Sequence, residues 1–481
     1  MSERHIVLRS ADSRAFESVR EPTSTRAERF ALGRSLRDQV PFERLAEWAP
    51  TPARLDPIGL IQFSHAGRVD RLVPIRVGRM ISSPYAFLRG TAVVMAADVA
   101  SLPATGIMPV VCGDSHLGNF GFYRSGEGEQ VIDLNDFDEA HPGSWEWDLR
   151  RLVASVWVAG RENGHSEDDM ATAVDTCVRA YADEVAFLAE QPLLSRSYNR
   201  LDVERLHETA TEKTLRDEIR RAARVARKRT SDRALPRFTA ETDGRRHIVA
   251  EPPLITPVEP DEYEALAEGL DAYLDTLAPH WRRVVGGYTL LDIAHKVVGV
   301  GSVGLRAYVA LLEGSGPDDV LFLRLKQARR SVLARFVHGD SAWHAHQGQR
   351  VVEYQQALQT VSDPLLGWTS VGGLDYYVRQ FRNMKGTVPL DSMTATALAD
   401  YAGIVGHLLA KGHARTSGAS MIAGYLGDGS GAATALATFA RRYADQTEAD
   451  HAALVAAVKQ GLLPVADGAL AAMGSAFRPG G

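Results

Sequence analysis

The chain has 481 residues, of which 45% are hydrophobic and 24% are charged, and its formal net charge is −6. This is the composition of an ordinary globular protein, and the length allows two lobes or two to three packed domains. Because the charge balance is slightly acidic, it gives no overall electrostatic basis for binding nucleic acid or a membrane surface.

The sequence carries no pattern typical of export or of membrane insertion. Residues 1–50 are rich in Arg and Glu and lack the apolar core of a signal peptide. No stretch approaches the ~18 consecutive apolar residues of a transmembrane helix. Cys112 and Cys177 are the only cysteines, too few for a disulfide framework. We therefore expect a cytoplasmic protein without a membrane segment.

The first elements in chain order are helices and short strands. Residues 1–50 are predicted to form helical segments on the surface of a larger unit. Leu72–Val77 has the length and pattern of a strand, and Thr91–Ala100 has those of an apolar helix. Phe120–Tyr123 and Val131–Leu134 are predicted to pair as a hairpin.

A loop with a chemical signature follows the predicted strand Val110–Cys112. Its sequence, Gly113–Asn119, places an Asp five residues before an Asn, an arrangement with which kinase-like enzymes build a phosphoryl-transfer centre. We expect Asp114 to orient or deprotonate the acceptor and Asn119 to hold magnesium. His116 lies between them, and we expect it to shape the loop by hydrogen bonding rather than to perform acid–base chemistry.

Acidic residues follow the hairpin and are candidate metal ligands, because magnesium binds a few carboxylates together with water and phosphate oxygens. Asp136 opens the sequence Asp-Phe-Asp and is the expected main ligand, with Asp138 as the second. Asp133 and Glu139 are the other acids available, and Asp133 could instead brace the loop. For Asp148 we expect a structural duty, either as a helix cap or as an acceptor for the backbone of the catalytic loop.

The remaining elements complete the chain. Their predicted ranges are the amphipathic helices Trp147–Arg161 and Asp169–Gln191, a charged helix at Glu204–Thr230, a Pro-rich linker at Pro236–Pro260, a helix at Pro260–Leu277, a strand-rich block from Val285 to Phe381, and helices at Ser392–Ala414 and Ala432–Leu462.

A glycine-rich segment, 299–304, fits the pattern G-x-G-x-x-G, which is weak evidence alone because it also occurs in Rossmann folds. A dinucleotide fold needs a helix after the glycines, but Leu305–Leu312 is a strand-length apolar run. A turn and a further strand, Val320–Lys326, come next. This order favours a kinase nucleotide-binding sheet, in which backbone N–H groups approach the phosphates. The phosphate-binding residues would be Gly299, Gly301, Ser302 and Gly304.

Lys326 ends the third strand of this block, where we expect it to reach the α and β phosphates. The alternative is that it is only the solvated end of a strand. Glu353, in the predicted helix Gln349–Val361, is the expected partner that orients Lys326, and an ordinary exposed acid is the competing interpretation.

The order of these elements differs from that of ordinary kinases. No lysine precedes Lys213, so the phosphate-binding lysine follows the catalytic loop instead of preceding it. The apolar-faced helix Ala395–His413 would ordinarily come just before the catalytic loop, yet it lies near the other end of the chain. A circular permutation reconciles both facts. It predicts that Ala395–His413 packs beside Gly113–Asn119.

Two groups of cations are further candidates for anion binding. Arg76, Arg79 and Arg89 precede the catalytic loop and could hold an anionic acceptor. Arg379, Arg382 and Lys385 lie where the hinge between the lobes would fall.

At these residues the chain resembles the uncharacterised bacterial family called domain of unknown function 2252, which is grouped with kinase-like folds. The matching stretches are Ser83–Gly90, Cys112–Gly121, Asp133–Ala140, Trp147–Leu152, Val298–Arg306, Leu323–Ala328 and Val378–Gly386. The resemblance implies ATP and Mg²⁺ as cofactors but no substrate. The kinase-like group includes aminoglycoside and choline-type kinases, protein kinases, and members that transfer AMP or have lost activity. An activation segment closing in Ala-Pro-Glu is not recognisable, which argues against a regulated protein kinase.

Together these observations predict an α+β protein with a two-lobed, protein-kinase-like fold, circularly permuted and with extra helices. The expected parts are an N-terminal helical extension (1–50), a large-lobe half with the catalytic loop (51–235), a linker and helix (236–284), a small nucleotide-binding lobe (285–390) and C-terminal helices (391–481). The expected function is ATP- and magnesium-dependent phosphotransfer to a small hydroxyl or amine compound. Alternatives are an AMP transferase, a nucleotide-binding pseudokinase that serves as a scaffold and, last, a Rossmann-type oxidoreductase.

Overall fold

The computed structural model describes residues 20, 22–198, 210–231, 235, 238–297, 301–337, 344–381, 383–416 and 418–466. The α-helices within these residues are α1 (Arg26–Ser35), α2 (Pro57–His65), α3 (Val73–Met80), α4 (Pro84–Gly90), α5 (Ala92–Ala100), α6 (Trp145–Glu162), α7 (Glu167–Glu190), α8 (Leu193–Tyr198), α9 (Lys213–Arg227), α10 (Pro260–Leu274), α11 (Pro279–Val285), α12 (Ala334–Val337), α13 (Gln347–Leu358), α14 (Ala395–Arg415), α15 (Ala419–Leu426) and α16 (Ser430–Lys459).

The β-strands are β1 (Val110–Val111), β2 (Phe120–Arg124), β3 (Gln130–Leu134), β4 (His141–Pro142), β5 (Thr239–Thr242), β6 (Arg245–Ile248), β7 (Ile255–Pro257), β8 (Thr289–Lys296), β9 (Ala307–Glu313), β10 (Val320–Gln327), β11 (Gly367–Val371) and β12 (Leu374–Gln380). The mixture of helices and strands confirms the α+β class. Among the described residues, none of the helices has both the length and the apolar character needed to span a bilayer.

The largest sheet has six antiparallel strands in the order β11-β12-β10-β9-β8-β7. Helix α10 packs on one face of this sheet, where Leu270 and Tyr273 share a hydrophobic cluster with Leu323. The contact is close at Gly269, where an added Cβ would lie only 2.6 Å from a Val371 methyl carbon. Residues 236–284, predicted to be a linker and a helix, therefore contribute a hairpin (β5–β6), an edge strand and packed helices to this part of the molecule.

The main hydrophobic core lies in the helical part, between α6, α7, α14, α15 and α16. Helix α14 begins after Thr394, whose hydroxyl accepts the Ala397 N–H at 3.2 Å. Halfway along α14, Gly406 allows the backbones of two helices to touch, because a Cβ there would lie 2.3 Å from the Cys177 carbonyl oxygen of α7. The predicted helix Ala395–His413 is thus a central element of the core.

The predicted packing of this helix beside Gly113–Asn119 is confirmed. The Tyr401 hydroxyl of α14 donates to the Leu117 carbonyl oxygen at 3.4 Å. At the end of the same helix, the Thr416 hydroxyl accepts the Val110 N–H at 3.2 Å. Two segments that are about 300 residues apart in the sequence therefore pack together.

The prediction of a strand at Leu72–Val77 is wrong, because these residues belong mostly to α3. The alternating Val73, Ile75 and Val77 suggested a strand, but Pro74 fits the first turn of a helix, where its missing N–H is not needed. Val73, Val77 and Met80 are all buried, and their spacing is that of a helix face.

Candidate functional site

The segment Gly113–Asn119 joins β1 to β2 in a fixed conformation. Gly113 has a φ of 77°, and a Cβ at this position would lie 2.3 Å from the Glu139 carbonyl oxygen, so only glycine fits. The fully buried Asp148 carboxylate accepts the N–H groups of Cys112 at 2.6 Å and Gly113 at 2.8 Å. Asp148 also contacts His413 Nε2 at 3.2 Å. Of the two structural duties considered for Asp148, the structure shows the one that holds the loop backbone.

Asp114 is held at the wall of a cavity by an arginine that the sequence analysis did not single out. Arg151 of α6 donates from Nε to Asp114 Oδ1 at 2.6 Å. The Asp114 side chain keeps 24% of its surface exposed. Burial raises the pKa of Asp114, and Arg151 opposes that rise. A carboxylate with a raised pKa and a fixed orientation suits a general base.

Asn119 connects the two acidic segments instead of facing open space. Its Nδ2 donates to the carbonyl oxygens of Asp114 at 3.1 Å and Asp136 at 3.0 Å. Its Oδ1, the atom expected to bind magnesium, accepts the Asp136 N–H at 2.8 Å. One lone pair of this oxygen is therefore already used, and the contacts it makes fix the separation of Asp114 and Asp136.

His116 is buried and packs edge-on against Tyr85. Burial and the positive charges of Arg89 and Arg151 lower the pKa of His116 well below its usual value, so the ring is neutral at physiological pH. Within the described residues its Nδ1 has no hydrogen-bond partner. The loop is thus shaped by packing of this ring and by the Tyr85 hydroxyl, which accepts the Gly118 N–H at 3.0 Å.

The acids Asp136 and Asp138 meet Lys326 of β10, which is 1% exposed. Lys326 Nζ lies 3.4 Å from Asp136 Oδ2 and is also paired with Asp138. Burial alone would raise the pKa of Asp136, but Lys326 and two arginines outweigh it and hold the pKa below its usual value. Asp138 additionally accepts the Tyr377 hydroxyl at 3.1 Å. The predicted metal-binding acids and the predicted phosphate-binding lysine therefore lie together.

The glycine-rich segment lies against the same acids. Ser302 donates from Oγ to Asp138 Oδ2 at 3.3 Å. Gly304 has a φ of 89°, and its carbonyl oxygen accepts the Val69 N–H at 2.8 Å. A Cβ at Gly301 would lie 3.3 Å from the Arg89 carbonyl oxygen. Gly299 lies outside the described residues.

Glu353 does not contact Lys326, so the expected lysine–glutamate pair is not present. Its carboxylate instead contacts His344 Nε2 at 2.6 Å and Gln349 Nε2 at 2.7 Å. The residue of α13 that reaches the site is Arg350, which is fully buried. Its Nη2 donates to the carbonyl oxygens of Asp138 at 2.7 Å and Arg329 at 2.8 Å. Arg350 thus holds the segment that contains Asp138 in place. The sequence reasoning chose Glu353, one helical turn further along the same helix, instead of Arg350.

Residues of the Gly113–Asn119 loop, of the acidic segment after β3 and of the glycine segment line a cavity of about 930 Å³. Its charged lining residues are the acids Asp114, Asp136, Asp138 and Glu139 and the cations Arg68, Arg76, Arg89, Arg229, Arg329, Arg330, Arg335, Arg379 and Lys385. Cations outnumber acids, so the cavity favours a ligand that carries several negative charges. Burial raises the pKa of Glu139 to about 7.

The donor set fits magnesium bound together with a phosphorylated ligand. The described residues contain no group of three or more His, Cys, Asp or Glu side chains arranged around a metal position. Magnesium in nucleotide sites, however, is usually held by one or two carboxylates and completed by phosphate oxygens and water. Asp136 and Asp138 supply such a pair, and the Asp136 side chain is 45% exposed toward the cavity.

The fold and the site define an α+β protein with a strongly charged cavity lined by residues of the helical part and of the segments that flank β9 and β10. The family model described as "Uncharacterized protein conserved in bacteria (DUF2252)" matches residues 68–457. The chain belongs to this family. No curated protein and no solved structure matches it.

Proposed function

We propose that the protein is an ATP- and magnesium-dependent phosphotransferase that acts on a small molecule with a hydroxyl or amine group. The observation that carries this proposal is that Asp114 and Asp136 line one cavity and that Lys326 contacts Asp136 from the sheet behind it. These are a candidate base, a candidate metal ligand and a candidate phosphate-binding cation, which are the parts that phosphoryl transfer needs.

The arrangement of the elements supports a circularly permuted kinase-like fold. Strands β8, β9 and β10, helix α13 and strands β11 and β12 follow one another in the order of a kinase nucleotide-binding sheet. The glycine segment lies between β8 and β9, and Lys326 lies near the end of β10. Helix α14 packs beside the catalytic loop although it follows that loop by almost 300 residues. A permutation accounts for this combination of spatial neighbours and chain order.

The proposed reaction transfers the terminal phosphoryl group of ATP to the acceptor. Asp114 accepts the proton of the acceptor hydroxyl or amine, and the acceptor atom forms a bond to the terminal phosphorus of ATP. The bond between that phosphorus and its bridging oxygen breaks, and the electron pair leaves on ADP. Lys326 contacts Asp136 and Asp138, the acids that would hold Mg²⁺, and from there it would bind the phosphates of ATP. Magnesium, when bound, neutralises negative charge on the phosphate oxygens.

The second candidate function is transfer of AMP. It is favoured by a group of cations on β10, on β12 and just after β12, namely Arg324, Arg379 and Lys385. Arg379 and Lys385 line the cavity, and Arg324 lies close to both. Burial and repulsion by Arg379 and Arg324 lower the pKa of Lys385 well below its usual value. A pocket for a purine base is normally lined by apolar groups. Cations here suit phosphates instead, as would occur if the nucleotide bound in the reverse direction.

The products distinguish the two candidates. We would incubate the protein with ATP and magnesium and follow the nucleotide by phosphorus NMR. ADP with free phosphate, or with a phosphorylated acceptor, supports phosphotransfer. AMP with pyrophosphate supports the second candidate. Unchanged ATP in the presence of a broad set of hydroxyl and amine acceptors contradicts both and favours a nucleotide-binding scaffold.

A further inference from the structure

A second group of arginines lines the cavity. It lies on other elements than Arg379 and Lys385. Arg76 lies in α3, Arg89 in α4, Arg68 just before α3 and Arg329 just after β10. These four residues are called the arginine cluster below. Among the described residues, none of the four forms an ion pair with a carboxylate. A concentration of positive charge of this kind is unusual in the absence of an anionic partner.

Arg76 shows most clearly that a partner is missing. The side chain is only 2% exposed. Its Nη2 donates to the Gly90 carbonyl oxygen at 2.8 Å, whereas Nε and Nη1 have no partner among the described residues. Burial, together with repulsion by Arg68 and Arg329, lowers the pKa of Arg76 well below its usual value. A buried guanidinium with two unsatisfied donor atoms lining a cavity is a built site for an anion.

The other members of the cluster are held by neutral groups and leave charge available. Arg68 donates from Nε to the Ser64 carbonyl oxygen at 2.9 Å, and Arg329 donates to the same oxygen at 3.2 Å. Burial and the charge of Arg329 lower the pKa of Arg68 to about 10. The Nε of Arg89 has no partner among the described residues. The acids that act on Arg68 are Glu139 and Asp138. The Glu139 carboxylate already accepts the Val332 N–H at 2.7 Å, and Asp138 is paired with Lys326.

The arginine cluster reaches the loop that carries Asp114, the proposed base. Arg89 is close enough to Asp114 and His116 to shift the pKa of each. Its carbonyl oxygen lies beneath Gly301 of the glycine segment. Arg76 donates to the carbonyl oxygen of Gly90, the residue after Arg89, and both arginines line the same cavity as Asp114. We expect an anionic group bound at Arg76 to place another part of the same molecule toward Asp114, where the acceptor hydroxyl or amine must lie.

We propose that the arginine cluster binds an anionic group of the acceptor, so that the substrate is a small hydroxyl or amine compound bearing a phosphate or a carboxylate. The assignment of the bound molecule as the acceptor rests on the proposed function. The anion site itself does not depend on that function. Phosphate and carboxylate both present a pair of negatively charged oxygens, and a guanidinium group binds such a pair through two parallel N–H donors.

The experiment is calorimetric titration of inorganic phosphate, and separately of acetate, into the protein saturated with ADP and magnesium. Two variants are compared, Arg76→Met in the cluster and Arg79→Met on the same helix but outside the cavity lining. We expect at least one anion to bind the wild type and the Arg79→Met variant equally, and to bind Arg76→Met about tenfold or more weakly. Tighter binding of phosphate points to a phosphorylated acceptor, and tighter binding of acetate to a carboxylate.

Three results would overturn the inference. The first is that neither anion binds the wild type, and the second is that both bind the two variants equally. The third is that Arg76→Met weakens ADP binding as much as Lys326→Met does, because the cluster would then serve the nucleotide. Arg89→Met provides a second test if Arg76→Met does not fold. If ADP itself fails to bind the wild type, the proposed function fails, and the same titration without ADP still tests the anion site.

Discussion

Lys326 and Asp136 contact each other at 3.4 Å although 190 residues separate them in the chain. The contact joins the six-stranded sheet to the acidic segment that follows β3. Burial alone would lower the pKa of Lys326, but Asp136 and Asp138 outweigh it and hold the pKa above its usual value. The Lys326 and Asp136 side chains are therefore both charged at neutral pH.

Glu139 should make stability depend on pH. Its pKa is raised by burial from 4.5 to about 7, so the folded state binds the proton more tightly than the unfolded state. The contribution of Glu139 to stability is full below about pH 4.5 and is lost as the pH rises through about 7. We expect Glu139→Gln to gain stability relative to the wild type across this window.

The measurement is thermal unfolding of both proteins from acidic to alkaline pH. The difference in melting temperature should grow between about pH 4.5 and pH 7 and stay constant above that. A difference that does not change over this window would show that Glu139 titrates normally.

Asp148 should be a determinant of stability because two buried N–H groups depend on it. Asp148→Ala leaves the N–H groups of Cys112 and Gly113 without their acceptor, which we expect to lower the free energy of unfolding by about 3 kcal/mol. As a control, Asp445→Ala removes only a surface ion pair with Arg161 and should cost less than about 1 kcal/mol. Urea denaturation measures both, and equal losses would refute the structural role of Asp148.

Arg350, and not Glu353, should support nucleotide binding from helix α13. Glu353→Gln should leave ATP affinity unchanged, because Glu353 contacts His344 and not Lys326. Arg350→Met should weaken ATP affinity about tenfold, because the carbonyl oxygen of Asp138 loses a charge-assisted hydrogen bond. Calorimetric titration with ATP and magnesium compares the two variants. The opposite ranking would restore the lysine–glutamate pair that the sequence suggested.

The pair Glu353 and Arg350 also shows where sequence reasoning ends. The pattern of Gln349–Val361 predicts a helix, but both side chains lie on that helix and neither spacing nor composition tells which one faces the sheet. That depends on how the helix packs against β11 and β12. The pairing of Asp114 with Arg151 could not be predicted from the sequence for the same reason. It depends on how the loop that carries Asp114 packs against the helix that carries Arg151.

Other features could be predicted because they are local or have a characteristic order. The hairpin that follows Gly113–Asn119 is set by alternating apolar residues and a polar turn. The strands on either side of the glycine segment are apolar runs bounded by turns. The strand predicted at Leu72–Val77 is not present. Branched side chains favour strands, but Pro74 in the first turn and the burial of one helical face make this segment a helix.

Arg76 should reduce stability in the absence of its ligand. Within the part of the chain that the structure describes, two of the three guanidinium nitrogens of this buried cation have no partner. Replacing it by an apolar side chain of similar length, Arg76→Met, should raise the free energy of unfolding by about 1–3 kcal/mol. Arg151→Met is the matched control, since that buried arginine is paired with Asp114 and its loss should lower stability by about 3 kcal/mol. Denaturation in urea without added anions measures both. Equal destabilisation by the two changes would mean that Arg76 is a structural residue.

The central claim is that Asp114 is the base of a phosphotransfer site, and the most direct measurement compares the wild type with Asp114→Asn. Both proteins are incubated with ATP and magnesium, turnover is followed by phosphorus NMR, and ATP affinity is measured in parallel. We expect turnover by the variant to fall about 10²–10⁴-fold while its ATP affinity stays within about twofold of the wild type. The reason is that Asp114 contacts Arg151, whereas Lys326, the proposed phosphate-binding residue, contacts Asp136. Equal turnover by the two proteins would contradict the account.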